Sequence, residues 1–257
     1  VRFRANPFPE RERSAEVMKD YFSATRHPWA TFLFLVPLLA AYEIGVAHYG
    51  GQHTDVRNGA DAWLRWGLDR YGITQLWVVP AAVAVYFLIR AVLAWESRPK
   101  DTLATLFGMA VECVVYGVLL WAVSRNFKPI LDQLGVSLTV SPVRFEAPPA
   151  SKLVTFVGAG IYEEVIFRLG LFTLLSVLFR TMLLPKPLAI VVAAVVGSLL
   201  FAAAHHVGEN GDPFQPTVFA FRTLAGLYFN MLYVTRGFGI AVGAHAGYDV
   251  LVGVAVG

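Results

Sequence analysis

The sequence predicts an all-α, polytopic integral membrane protein with about seven transmembrane helices and one interfacial helix. Three observations predict it. Hydrophobic residues make up 56% of the chain and charged residues only 15%, against about 25% charged in an ordinary soluble domain. Apolar stretches of about 20 residues, the length that crosses a bilayer, recur along the chain. The Lys and Arg residues gather in the polar links between them, where they read as topology signals and lipid-headgroup contacts; the net charge of +3 is therefore not read as a nucleic-acid footprint.

Residues 1–28 are mixed-charge and Arg-rich. They are read as a surface segment with a short helix around "ERSAEVMKDYF" rather than as a signal peptide. The first expected span is 29–49. The stretch "DVRNGADAWLRWGLDRYG" is too charged to cross; Trp63, Leu64 and Trp66 among Arg65, Asp69 and Arg70 suit an amphipathic helix lying at the interface. Further spans are expected at 75–95 and 103–123, followed by a linker over 124–150 holding Pro129, Pro142, Pro148 and Pro149. The remaining spans are expected at 151–179, 188–206, 217–235 and 238–256. Lys and Arg in the links favour a cytoplasmic N-terminus. The single cysteine, Cys113, lies in an apolar run, which excludes an internal disulfide, a Cys-based zinc site and a redox pair.

Ionisable groups near mid-membrane cost about 2.5–3.5 kcal/mol each on insertion scales, so they pair or serve function. The front half has Glu43, His48 and Glu112 inside spans, whereas the back half has Glu163, Glu164, Arg168, His205, His206, Arg222, His245 and Asp249. This asymmetry places the chemistry behind the linker. At about 100° per residue, Glu164 and Arg168 share a helix face and can pair, while Glu163 points elsewhere and is free to handle protons. A structural Glu–Arg pair with a spare glutamate is the plainer alternative. Phe201 and His205 share a face at the end of the fifth span, as do His245 and Asp249 in the last. Glu112 reads best as a helix–helix hydrogen bond, Arg222 as snorkelling to an interface and Asn230 as a packing contact. Serine and aspartyl protease patterns are missing: Ser176 and Ser198 have ordinary apolar surroundings, and Asp249 is the only aspartate within a span.

In order and spacing, "EEVIFR" (163–168), "FAAAH" (201–205) and "HAGYD" (245–249) resemble the CAAX protease and bacteriocin-processing family (CPBP or Abi) of intramembrane endopeptidases. The resemblance covers about residues 150–257 and leaves 29–123 as transmembrane helices of no stated kinship. It implies a catalytic unit at 151–257 whose last four helices enclose a water-filled cavity. It further implies that Glu163 and His205 activate a water for attack on a peptide carbonyl. His245 and residue 249 would face the oxyanion, supported by Glu164 and Arg168. Where the family pattern allows asparagine, this chain has Asp249, which is expected to orient His245 or, second, to ligate a metal. Zinc stays open, with Glu163, His205 and His245 as its ligands, although the zincin pattern His-Glu-x-x-His does not occur. The expected setting is a bacterial cytoplasmic membrane, and the expected partners are the lipid bilayer and a peptide or protein segment presented at it. A non-proteolytic immunity or assembly factor and a proton-coupled transporter are the rival readings.

Overall fold

The computed structural model describes residues 10–50, 56–135, 149–208 and 211–255, and among these the chain is helical, with no strand. In order, the helices are α1 (Glu10–Thr25), α2 (Pro28–Tyr49), α3 (Gly59–Asp69), α4 (Val78–Leu93), α5 (Thr102–Gln133), α6 (Pro149–Gly158), α7 (Thr173–Thr181), α8 (Lys186–Ala204), α9 (Pro216–Arg236) and α10 (Phe238–Ala255). Between α6 and α7 the chain stays on a helical path. Two π-helical stretches, Ala159–Glu163 and Val165–Phe172, join them into one rod.

Local chemistry sets the helix ends. Proline opens the first turns of α2, α8 and α9, where its missing N–H is no loss. His27 and Asn58 cap α2 and α3, their side chains accepting from the N–H groups of Trp29 and Ala60. Gly237 turns α9 directly into α10 with φ at 98°, backbone that glycine adopts without a Cβ penalty.

Among the described residues, three helices can cross a membrane by length and composition: α2, α5 and α8. Helix α4 and the stretch Phe238–Gly253 are apolar but shorter. The expected spans at 151–179 and 217–235 coincide with the rod and α9, where the charged groups gather. Helix α5 shows why lipid is the solvent. Leu103, Phe107, Val111, Val114 and Val118 form an exposed stripe, while Thr105, Met109, Cys113, Gly117 and Leu120 face inward. An apolar stripe on the outside of so long an apolar helix suits acyl chains. Helix α5 also runs past the expected end at 123, through Pro129 to Gln133. The part of the expected linker with Pro142 and Pro148 lies outside the described residues.

Helix α10 is central, packing on α2, α5, α6, α9 and the first π-helical stretch. Two glycines let it approach closely. A Cβ on Gly117 of α5 would lie 3.1 Å from the Tyr248 nitrogen, and one on Gly160 would lie 2.8 Å from the Ala246 nitrogen and the Val242 oxygen. Small residues at such crossings bring backbones together in lipid, where van der Waals packing replaces the hydrophobic drive. Glu112 joins α5 to α9 as read from the sequence: Arg236 donates to it twice, at 2.8 and 2.5 Å.

Candidate active site

The rod carries Glu163 at the end of its first π-helical stretch and Arg168 inside the second, with Glu164 between them. π-helical turns use i→i+5 bonding, so the 100° step of an α-helix no longer holds, and such turns recur at functional sites. The two neighbouring glutamates reach opposite sides of one ring. Glu164 Oε1 is 2.8 Å from His245 Nδ1, while Glu163 Oε2 is 3.8 Å from His245 Nε2. Glu164 also meets Arg168 Nη1 at 3.0 Å, and both of these side chains are sealed from the outside.

His205 caps the end of α8. Its Nδ1 is 2.8 Å from the carbonyl oxygen of Phe201, one turn earlier. A carbonyl only accepts, so that nitrogen carries the hydrogen, and in the neutral ring Nε2 is left with a lone pair. Nε2 faces Glu163 Oε2 at 3.8 Å. His245 is arranged the same way, with Nδ1–H committed to the Glu164 carboxylate. Two imidazole Nε2 atoms from α8 and α10 therefore converge on one oxygen from the rod. Separations of 3.8 Å are too long for direct hydrogen bonds and suit a bridging group between them. Glu163 and His205 keep 14% and 25% of their side-chain surface open, so water and substrate can reach this side, while Glu164 and Arg168 close the back.

Aromatic rings wall the site. Phe229 of α9 stacks on His245 with centroids 4.4 Å apart and planes 19° apart. Phe201 meets His205 edge-on at 4.9 Å. The Arg168 guanidinium lies over Phe201 at 4.5 Å and over Phe229 at 5.3 Å, and its Nη2 donates to the Gly226 carbonyl. A buried cation gains cation–π attraction there, while the rings hold the imidazoles in plane.

The structure thus brings Glu163, Glu164, Arg168, His205, His245 and Asp249 to one place. Asp249 meets His245, the ring it is expected to orient, at its Nε2 edge. Glu164 grips the Nδ1 edge of His245, and Asp249 Oδ2 approaches the opposite atom, Nε2, at 3.6 Å. It therefore stands on the open side of the ring rather than behind it. Arg222, read as reaching toward an interface, donates through Nη2 to Asp212 at 2.5 Å. Asn230 donates to Ser198 on α8, a packing bond as read from the sequence. Phe229 and Gly226 of α9 join the site as well, through the His245 stack and the Arg168 hydrogen bond.

The front half also enters the site, contrary to the reading that confined the chemistry behind the linker. Asn58, which caps α3, donates through Nδ2 to Glu163 Oε1 at 3.0 Å. Behind it, Tyr42 donates to Asp61, which also accepts from Arg57 and Arg65, and Tyr162 donates to Glu43. Helix α3 is amphipathic as expected, with Trp66 exposed, but its buried edge is this polar network, packed on the rod.

In donor type, Glu163, His205 and His245 suit zinc: two imidazole Nε2 atoms and a carboxylate. Among the described residues no three His, Cys, Asp or Glu side chains stand close enough to form a ready-made cage. Zinc would require these three to close in. Elsewhere on the rod, an open apolar groove of about 580 Å³ is lined by Val165 and Leu169, with Leu64 and Leu68 of α3 and Val83 and Phe87 of α4.

Residues 146–251 match the family model described as Rce1-like, type II CAAX prenyl endopeptidase Rce1-like. The match takes in the rod, α8, α9 and most of α10, and it leaves Asn58 and the first five helices outside. No curated protein and no solved structure matches the chain.

Proposed function

We propose, on the premise that residues 146–251 belong to the Rce1-like family of type II CAAX prenyl endopeptidases, that the chain is an intramembrane endopeptidase working with water activated by Glu163 and His205. That family is a protease family, and the apolar helices mark an integral membrane protein. The observation that carries the reading is the convergence of His205 Nε2 and His245 Nε2 on Glu163 Oε2, each at 3.8 Å.

A water between these groups can donate one hydrogen to Glu163 Oε2 and the other to the His205 Nε2 lone pair, which turns its own lone pair toward a substrate carbonyl. Glu163 takes a proton as the oxygen–carbon bond forms, then delivers it to the leaving amine as the carbon–nitrogen bond breaks. His245, as imidazolium, would donate Nε2–H to the oxyanion while Glu164 keeps hold of Nδ1–H. Positioned donors of this kind contribute about 10²–10³ in rate. The apolar groove beside the rod offers a place for an apolar substrate chain, and the prenyl group for which the matching family is named is one such chain.

Zinc is the alternative within the same reading, favoured because both rings turn a ligating nitrogen toward one carboxylate oxygen. Glu163, His205 and His245 would hold it, and it would supply a bound water acidic enough to attack near neutral pH.

The test is cleavage of a prenylated CAAX-type peptide and its unmodified twin by purified protein in proteoliposomes. Wild type should cleave an internal bond, while Glu163→Gln and His205→Gln should lose about 10²–10⁴-fold and stay folded. Cleavage by Glu163→Gln at the wild-type rate would overturn the reading. Absence of cleavage by wild type, with partner capture lost in both variants, would support a scaffold instead.

A further inference from the structure

We infer that Asn58, from the unmatched front half of the chain, is the residue that positions Glu163 and assigns its two oxygens different tasks. The inference rests on the peptidase reading above and deepens it.

The orientation of the Asn58 amide is fixed by its surroundings. Its Oδ1 accepts the Ala60 N–H at 2.8 Å as the helix cap, so the group turned toward Glu163 must be the amide nitrogen. An amide nitrogen only donates. Glu163 Oε1 must therefore accept, and any proton the carboxyl carries must sit on Oε2. Oε2 is the oxygen that faces both His205 and His245. One hydrogen bond thus reserves Oε1 as an anchor and leaves Oε2 as the atom that takes up and releases protons.

Asn58 can do this because it is itself held. Its backbone N–H donates to the Tyr42 hydroxyl at 3.1 Å, and that hydroxyl donates to Asp61 at 2.9 Å. Asp61 is fully buried and is fixed from two sides by Arg57 at 2.6 Å and Arg65 at 2.7 Å. These bonds tie the start of α3 to α2 and leave Asn58 little freedom to swing. A donor on a capped helix terminus with a networked base is the supporting shell that a general base requires.

Capping and positioning can be separated by substitution, since Ser and Asp are both good N-caps. Asn58→Ser keeps the cap and cannot reach Glu163. Asn58→Asp keeps the cap and sets an acceptor against the Glu163 carboxylate. The experiment measures kcat, KM and thermal midpoint for wild type, both variants and Glu163→Gln, in proteoliposomes with the prenylated peptide. Asn58→Ser should keep the wild-type midpoint and KM, whereas Asn58→Asp, with two carboxylates in contact, should also lower the midpoint. Their kcat should fall, by about 10²-fold for Asn58→Ser, the scale expected when a reacting group is misplaced by about 1 Å, and further for Asn58→Asp. Wild-type kcat in Asn58→Ser, with Glu163→Gln inactive, would leave the peptidase reading standing and reduce Asn58 to a helix cap. Full activity in Glu163→Gln, or none in wild type, would remove the peptidase reading and this inference with it.

Discussion

Glu164 grips His245 from behind: its Oε1 lies 2.8 Å from Nδ1, which commits the opposite nitrogen to the side of Glu163 and Asp249. The same oxygen neutralises Arg168 at 3.0 Å in a fully buried setting. Removing one partner of a buried pair leaves a lone charge and costs about 3–5 kcal/mol. Glu164→Gln should therefore lower the thermal midpoint in detergent and abolish cleavage. The double variant Glu164→Gln, Arg168→Met should recover much of the midpoint and none of the activity, because His245 still lacks its carboxylate. Recovery of cleavage in the double variant would show that Glu164 matters only as a counter-ion.

Phe229 should matter through contact with His245 rather than through volume alone. Its ring stacks at 4.4 Å and also flanks Arg168. Aromatic pairs contribute about 0.5–1.5 kcal/mol beyond burial, so Phe229→Leu should slow turnover by roughly 2- to 10-fold with a small stability loss. An unchanged kcat would mean that the stack does not hold the ring.

Gly160 carries the crossing of the rod over α10. An added methyl would sit 2.8 Å from backbone atoms of Val242 and Ala246, which cannot yield as a flexible side chain does. Gly160→Ala should cost about 1–3 kcal/mol, the range for overpacking, and depress cleavage by moving Glu163 away from His245. Gly67, where an added Cβ meets nothing within 4 Å, is the control. Gly67→Ala should leave the thermal midpoint unchanged or slightly raised. Equal midpoints for Gly160→Ala and wild type would argue against a tight crossing.

His27 sets a pH dependence of stability that is separate from the site. Its Nδ1 accepts the Trp29 N–H as the cap of α2, which requires a lone pair on that nitrogen, and its Nε2 meets Ser97. Burial lowers its pKa below the ordinary 6.5, against a weaker opposing interaction with the Ala94 backbone. The folded chain then binds this proton less readily than the unfolded chain. The stabilising contribution is complete above pH 6.5 and is lost as the pH falls through the folded value. Losing a cap costs about 1 kcal/mol, roughly 2–4 °C in a chain of this size. His27→Asn caps without titrating, so its midpoint should lose this component of the acid dependence. A midpoint–pH curve identical to wild type would contradict the cap.

The polar groups of the site were legible in the sequence because lipid makes each of them costly. Glu163, His205 and His245 stood out against apolar runs, and the four-residue spacing of Glu164 and Arg168 announced their pair. Three things were hidden. Asn58 carried only the local mark of a helix cap, and the contact it makes on its other side joins residues 105 positions apart. Phe229 is one of 19 phenylalanines, and only the packing of α9 against α10 singles it out. The arrangement around His245 was hidden for a backbone reason. An α-helical wheel sends Glu163 and Glu164 to different faces, whereas the π-helical rod lets both reach His245, Glu164 at Nδ1 and Glu163, beside Asp249, at Nε2.

The peptidase chemistry can be read from oxygen isotopes in a single turnover. Protein in excess over the prenylated peptide is placed in ¹⁸O-water, and both the new carboxyl terminus and Glu163 are analysed by mass spectrometry. Water attack with Glu163 as base predicts one ¹⁸O in the product carboxylate, none in Glu163, and product formation slowed about 10²–10⁴-fold in Glu163→Gln. An unlabelled product with ¹⁸O in Glu163 would mean that the carboxylate attacks the peptide itself, and the assignment of base and water would be wrong.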